Sequence, residues 1–204
     1  MSALGIVNRQ KVRFAFWGAE ESGLLGAYHY VDSLSDDGLA QVYANLNFDM
    51  VGSPNYVPFV YDGNGSDTEA AGPPGSAQIE ALFTDYLGSR GGSVPTAFDG
   101  RSDYGPFIEV GIPAGGLFSG AEGTKTQEEA DRFGGTAGEP YDPCYHQACD
   151  TTANLSTAAL AVLGDAAAHA TLTLARSRSG FFEDLSRLNA APAGELTAPT
   201  ADAA

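Results

Sequence analysis

Glu20 and Glu21 stand side by side at the end of an apolar run, Val12-Arg13-Phe14-Ala15-Phe16-Trp17. Two carboxylates at the tip of a core strand are costly unless something pairs with them, because an uncompensated buried charge costs several kcal/mol. A metal ion or a tight set of hydrogen bonds would offset that cost. The competing reading is that both glutamates open a helix, where negative charge is favoured by about 0.3–1 kcal/mol each. Other groups able to do chemistry lie far apart in the chain: Asp49, Arg101, Asp103, Tyr145 and His146. Carboxylates with one histidine form a hard-to-borderline donor set suited to zinc. A spare carboxylate beside a ligand carboxylate is what a metal hydrolase uses as a general base. On residue chemistry alone, Glu21, Asp49 and His146 would ligate a metal and Glu20 would handle protons.

These groups need a scaffold that brings them to one place. Apolar and aromatic runs predict strands at 12–17, 44–52, 57–61, 94–98 and 112–118. Between them, helical spacing of apolar residues predicts helices at 22–33, 76–87 and 156–175, with a short helix over 39–43 behind the polar cluster Asp32 to Asp37. Leu24, Leu25, Tyr28 and Val31 would form the buried stripe of the first helix, and Leu160, Leu163, Ala167, Ala170 and Leu174 that of the last. Strands alternating with helices read as an α/β fold: a three-layer sandwich with a mixed, mainly parallel sheet flanked by helices. In such folds sites gather at the carboxyl ends of strands, where Glu20, Glu21 and Asp49 would stand. Gly115-Gly116 would mark a close backbone approach. The stretch 119–143 carries no periodic pattern and reads as a long irregular loop. One domain over 1–176 is expected, with a flexible Ala/Pro/Thr-rich tail over 177–204.

The 204 residues carry 26 acidic against 10 basic side chains, a net charge of -16. Such an excess argues against nucleic acid or an anionic membrane as a partner. No contiguous apolar run reaches the ~18 residues of a membrane span. The first ten residues have no apolar core of the kind a secretory leader needs, so an exported protein would carry its signal outside this sequence. Cys144 and Cys149 are the only cysteines. In an oxidising compartment they would pair; in the cytosol they would be free or ligating. Nothing else in the chain supplies the partner pair of a zinc knuckle, which favours the disulfide. His29 and His169 fall in helices and read as ordinary helix residues.

Four ordered motifs add specificity: Trp17-Gly18-Ala19-Glu20-Glu21-Ser22-Gly23-Leu24-Leu25-Gly26, Asn47-Phe48-Asp49-Met50-Val51-Gly52, Gly100-Arg101-Ser102-Asp103-Tyr104-Gly105-Pro106-Phe107 and Cys144-Tyr145-His146-Gln147-Ala148-Cys149-Asp150. With them the chain resembles the secreted bacterial dizinc leucine aminopeptidases (metallopeptidase family twenty-eight) over about residues 11–175. The resemblance implies that Glu20 is the general base, that Glu21 and His146 hold one zinc and Asp49 the other, and that Tyr145 stabilises the oxyanion. It implies substrate contacts from Gly100 and Arg101, an apolar pocket lined by Phe118, and a disulfide between Cys144 and Cys149. It further implies a secreted, monomeric enzyme acting on peptides with a free N-terminus, with a preference for large apolar residues.

The departures are specific. The family pattern has a histidine and a bridging aspartate upstream of the Glu-Glu motif, and residues 1–10 contain neither. The chain is therefore expected to be the carboxyl-terminal part of such an enzyme, with half the ligands and no activity alone. Tyr104 stands where close relatives have a histidine. At the family's calcium position Asp165 is retained, but its partner position is Ala161. The alternatives are a truncated relative serving as a binding module, or a relative with carboxypeptidase or cyclase chemistry.

Overall fold

The computed structural model describes residues 5–177 and Phe182. The tail expected over 177–204 otherwise lies outside the described residues. Four strands form one sheet: β1 (Asn45–Phe48), β2 (Phe59–Tyr61), β3 (Val94–Thr96) and β4 (Ala114–Phe118), in the order β1-β4-β2-β3. β1 runs parallel to β4, and β2 parallel to β3, while β2 and β4 are antiparallel, so the sheet is mixed as expected. Among the described residues the helices that accompany it are α1 (Leu25–Asp32), α2 (Asp36–Ala40), α3 (Ser76–Gly88), α4 (Gly105–Glu109), α5 (Gln127–Phe133) and α6 (Thr157–Arg176).

Side-chain alternation sorts the layers. Val60 and Leu117 point to one face and join Ile79, Phe83 and Leu87 of α3 with Leu163, Ala166 and Ala170 of α6 in the main core. The neighbours Tyr61 and Ala114 point to the other face and pack with Phe98 and Tyr104, which leads into α4. Val31 of α1 meets Phe107 of α4 and Ile112 on that same side. Helix, sheet and helix thus make the three layers.

Gly115 and Gly116 do mark a close approach. A Cβ at Gly115 would lie 2.4 Å from Cγ2 of Ile79, and one at Gly116 would lie 1.8 Å from the Asn47 carbonyl oxygen. Ser156 caps α6, accepting from the Ala159 N–H at 3.1 Å. α6 has the length and mean hydropathy of a membrane span, yet its Leu163–Leu174 face is buried in the core while Asp165 and His169 are exposed.

Three expectations are corrected. Residues 12–17 belong to no strand, and Phe14 and Phe16 are 73% and 95% exposed. The composition sets an extended backbone, but a strand also needs a neighbour to bond to, and none among the described residues lies alongside. The 119–143 segment is not structureless: α5 stands inside it, started by a capping box in which Thr126 and Glu129 bond each other's backbone N–H. Leu25 and Leu160 are exposed, and Ala27 and Ala166 take inward positions instead. Small residues sit where helices come closest, and a bulk-weighted reading of the stripe overlooks them.

Candidate active site

The two glutamates sit on a sharply folded loop. Gly18 and Gly26 touch: the Gly26 N–H donates to the Gly18 carbonyl at 3.0 Å, and a Cβ on Gly26 would lie 2.6 Å from that oxygen. Between them Glu20–Ser22 forms one 3₁₀ turn, flanked by Ala19 (φ 57°), Gly23 (φ 97°) and Leu24 (φ 57°) in the left-handed region. The chain thus reverses within a few residues and leaves both carboxylates on the wall of a cleft of about 420 Å³. Asp49, Gly100, Arg101, Tyr145 and His146 line the same cleft.

Asp49 follows β1 and is held from behind. The Ser102 hydroxyl donates to its Oδ2 at 2.7 Å and accepts from the Asn47 amide at 2.8 Å. The next residue, Met50, is at φ 46°, and its carbonyl accepts from the backbone and hydroxyl of Ser119 after β4. Ser53 adds a bond to the Gly120 carbonyl at 2.6 Å. Four of the five non-glycine residues with positive φ, namely Ala19, Leu24, Met50 and His146, line this cleft or adjoin its residues. Backbone held in sparsely populated conformations tends to gather at functional sites.

Tyr145 and His146 arrive on a stapled loop. Cys144 and Cys149 form a disulfide with their Cα atoms 5.3 Å apart. The buried Asp142 accepts from the Cys144 N–H at 2.9 Å and the Asn154 amide at 2.8 Å. The Tyr145 and His146 rings stack at 3.8 Å. His146 Nε2 lies 2.6 Å from Glu21 Oε1, joining residues 125 positions apart. Arg101 Nη2 meets Glu122 Oε1 at 3.0 Å at the mouth. The Arg101 loop is pinned by Tyr104, whose hydroxyl donates to Asp99 Oδ1 and accepts from the Gly100 N–H, both at 2.9 Å. Tyr104 thus stands as a buried anchor where relatives were expected to carry a histidine.

The electrostatics call for a cation. Glu20, Glu21, Asp49 and Asp150 line the cleft against one arginine, which Glu122 already engages. Burial first, and then the charges of Asp49, Glu21 and Asp103, push the Glu20 carboxyl above its ordinary range, with His146 pulling back. Burial and then Asp49 do the same to Asp103, which is only 8% exposed and whose Oδ1 has no hydrogen-bond partner. A carboxylate poised upward beside an ionised one is the arrangement that separates base from ligand.

Glu21, Asp49 and His146 nevertheless do not close around a single ion. The one group of three Asp, Glu or His ligand atoms lying within 4.8 Å of one another, among the described residues, is Asp62, Asp67 and Glu80. There Asp62 already accepts five hydrogen bonds from the loop over 65–68, so its oxygens are taken. Glu21, His146 and Asp49 line one cleft without their ligand atoms all meeting within that distance.

An adjoining chamber of about 330 Å³ opens from the cleft, walled by Met50, Phe59, Tyr61, Phe118 and Tyr141. Phe118 lies at the end of β4 as expected. Because β2 runs against β4, the chamber receives Phe59 from the start of its strand, paired in register with Phe118. Sequence reasoning missed Ser102, which lies inside a quoted motif, and Phe59, Glu122 and Tyr141, for which no local pattern gives a signal.

Comparison with known proteins agrees with this geometry. The sequence matches Peptidase family M28 over residues 3–171. It is 54% identical over 168 residues to an aminopeptidase of Pseudomonas aeruginosa, covering 82% of this chain and 31% of that protein. It is 52% identical over 171 residues to leucine aminopeptidase 2 of Trichophyton rubrum, covering 83% and 34%. The fold superposes on a zinc aminopeptidase from Bacillus subtilis with a TM-score of 0.64 and 26% identity, covering 85% of this chain and 38% of that one. The chain thus spans about a third of the length of the relatives it matches in sequence. On the sequence match and the shared fold, the chain belongs to Peptidase family M28.

Proposed function

We propose that this chain supplies part of the site of a zinc-dependent aminopeptidase that releases large apolar N-terminal residues from peptides. The carrying observation is the Glu21–His146 contact at 2.6 Å, in one cleft with Glu20 and Asp49. Glu21 and His146 would hold one zinc and Asp49 a second. A histidine and a bridging carboxylate, which the family resemblance implies and residues 1–10 do not contain, would complete the set. Zinc, when bound, would supply Lewis acidity, polarising a carbonyl and lowering the pKa of a water toward about 7.

The chain's own residues divide the remaining work. Glu20 accepts a proton from the attacking water and passes it to the leaving amine as the C–N bond breaks. Tyr145 donates to the carbonyl oxygen as charge develops there. Arg101 and Gly100 contact the peptide, and the aromatic chamber takes the N-terminal side chain. The disulfide fits an oxidising compartment, which supports a secreted setting. The test is zinc analysis of the purified protein with an assay on leucine p-nitroanilide. Bound zinc that Glu21→Gln and His146→Ala both remove, with turnover that follows it, would support the reading. Zinc content unaffected by either change would refute it.

A further inference from the structure

Lys125 is one of only two lysines in the chain, and it is 1% exposed. A buried ammonium costs several kcal/mol unless it is well paired. Yet among the described residues no carboxylate forms an ion pair with it within 4 Å. Its Nζ donates instead to the Tyr56 carbonyl at 2.8 Å, with the Asn55 Oδ1 at 3.5 Å. Neither partner lies in the zinc cleft, so the charge serves something else.

What it holds is the segment that walls the chamber. The Lys125 N–H donates to the Glu139 carbonyl at 3.0 Å, and its own carbonyl accepts from Gly138 at 2.9 Å. Thr124 and Pro140 form an isolated antiparallel bridge. The Asn55 amide donates to the Thr136 and Pro140 carbonyls at 3.0 and 3.1 Å, so the stretch before β2 grips the returning arm. That arm delivers Tyr141. Its backbone bonds Gly123 and Asn55, both at 2.9 Å, and its hydroxyl donates to Glu129 Oε2 at 2.8 Å. Glu129 is in turn the capping-box partner of Thr126 at the start of α5. The ring crosses Phe59 edge-on at 5.3 Å and lies flat over Gly120, where a Cβ would come within 2.3 Å of Tyr141 Cγ. The wall is therefore fixed from its backbone, its ring face and its hydroxyl, and Lys125 ties the whole excursion to the stretch before β2.

We propose that Tyr141 sets the largest N-terminal side chain the chamber admits, and that Lys125 is the positioning residue that keeps it there. This rests on the chamber being the side-chain site of the peptidase reading. A wall fixed at so many points cannot yield to a longer side chain, whereas a wall hung on a loop could. Differences of one methylene in such a pocket are worth about 10–200-fold.

The test compares wild type, Tyr141→Ala and Lys125→Met by two readouts. The first is calorimetric binding of free L-leucine, L-phenylalanine and L-tryptophan. The second is kcat and KM on the matching p-nitroanilides, read in the full-length enzyme that carries the upstream ligands. Tyr141→Ala should raise the phenylalanine-to-leucine and tryptophan-to-leucine affinity ratios by about tenfold. Lys125→Met should move them the same way by a smaller factor, acting on KM and leaving kcat alone. Ratios within twofold of wild type in Tyr141→Ala, or wild type that binds none of the three amino acids, would overturn the inference. If Lys125→Met does not fold, Tyr141→Ala still decides the wall, and a folded Lys125→Met with unchanged ratios would remove Lys125 from it. Ratios that shift in binding while the full-length enzyme with the upstream ligands cleaves no anilide would leave this inference standing and count against the peptidase reading.

Discussion

The side chains of Glu21 and His146 are 69% and 52% exposed, on the cleft side of the site. On the chamber side Phe59 and Tyr141 are buried and bonded into neighbouring elements. The chamber is an extension of the core: its walls would pack in the same way with or without a ligand. The cleft is built from loops that bring Glu20, Glu21, Asp49 and Asp150 together, with Arg101 and His146 as the basic side chains among the described residues that line it. Its residues are held by backbone devices, such as the Gly18–Gly26 contact, the left-handed Ala19, Leu24 and Met50, and the disulfide, rather than by packing. On the proposed reading, one side would select the side chain and the other would hold the metal.

That contrast predicts opposite signatures for substitutions on the two sides. The largest effect belongs to Glu20→Gln. It removes the base but neither the turn nor the ligands, so in the full-length enzyme that carries the upstream ligands turnover of leucine p-nitroanilide should fall by about 10²–10⁴-fold. Zinc content and melting temperature should stay close to wild type. Hydrolysis at the wild-type rate would take the base role away from Glu20 and with it the functional meaning of the exposed side.

The second effect concerns the staple. Replacing Cys144 and Cys149 by serine frees the loop that carries Tyr145 and His146, while Asp142 still holds its base through the Cys144 N–H. Outer supports of a metal ligand are typically worth 10–100-fold in affinity. Zinc affinity should drop by about that factor, and the chamber's preference among amino acids should not change. A double serine variant with undiminished zinc affinity would show that His146 is placed by its stacking on Tyr145 and by Glu21, not by the disulfide.

The same division explains what the sequence revealed. Helices α3 and α6 and strands β1 and β4 were legible because their apolar periodicity answers to one core. That Glu20, Glu21, Asp49, Tyr145 and His146 share one cleft was legible because short motifs surround each of them. The exposed 12–17 run was misread because composition specifies an extended backbone and says nothing about whether a partner strand lies beside it. The chamber was almost invisible. Phe59 and Tyr141 are aromatic residues like many others, and what makes them a wall is antiparallel register and the Lys125 excursion. Both are long-range facts with no local pattern. The capping box at Thr126 was there to be read, and it would have placed α5.

The smallest effect tests whether charge crowding at the cleft is real in the metal-free protein. Burial and the neighbouring Asp49 hold the Asp103 carboxyl above its ordinary value of 3.8 in the folded state. The folded state therefore binds the Asp103 proton more tightly than the unfolded chain does. Its ionised form is a penalty that is fully present above the folded pKa. That penalty is relieved as pH falls through it, and it is gone below the unfolded value. Glu20 acts in the same direction. Asp103→Asn removes the charge and keeps the shape, so it should raise the melting temperature at pH 7, with the gain fading towards pH 4. Added zinc should shrink the gain, because a cation in the cleft would already offset the ionised carboxylates. Thermal unfolding of wild type and Asp103→Asn between pH 4 and 8, with and without zinc, gives the comparison. A variant less stable than wild type at pH 7 without zinc would mean that Asp103 is satisfied as an anion, and that the exposed side of the site is less frustrated than its carboxylates imply.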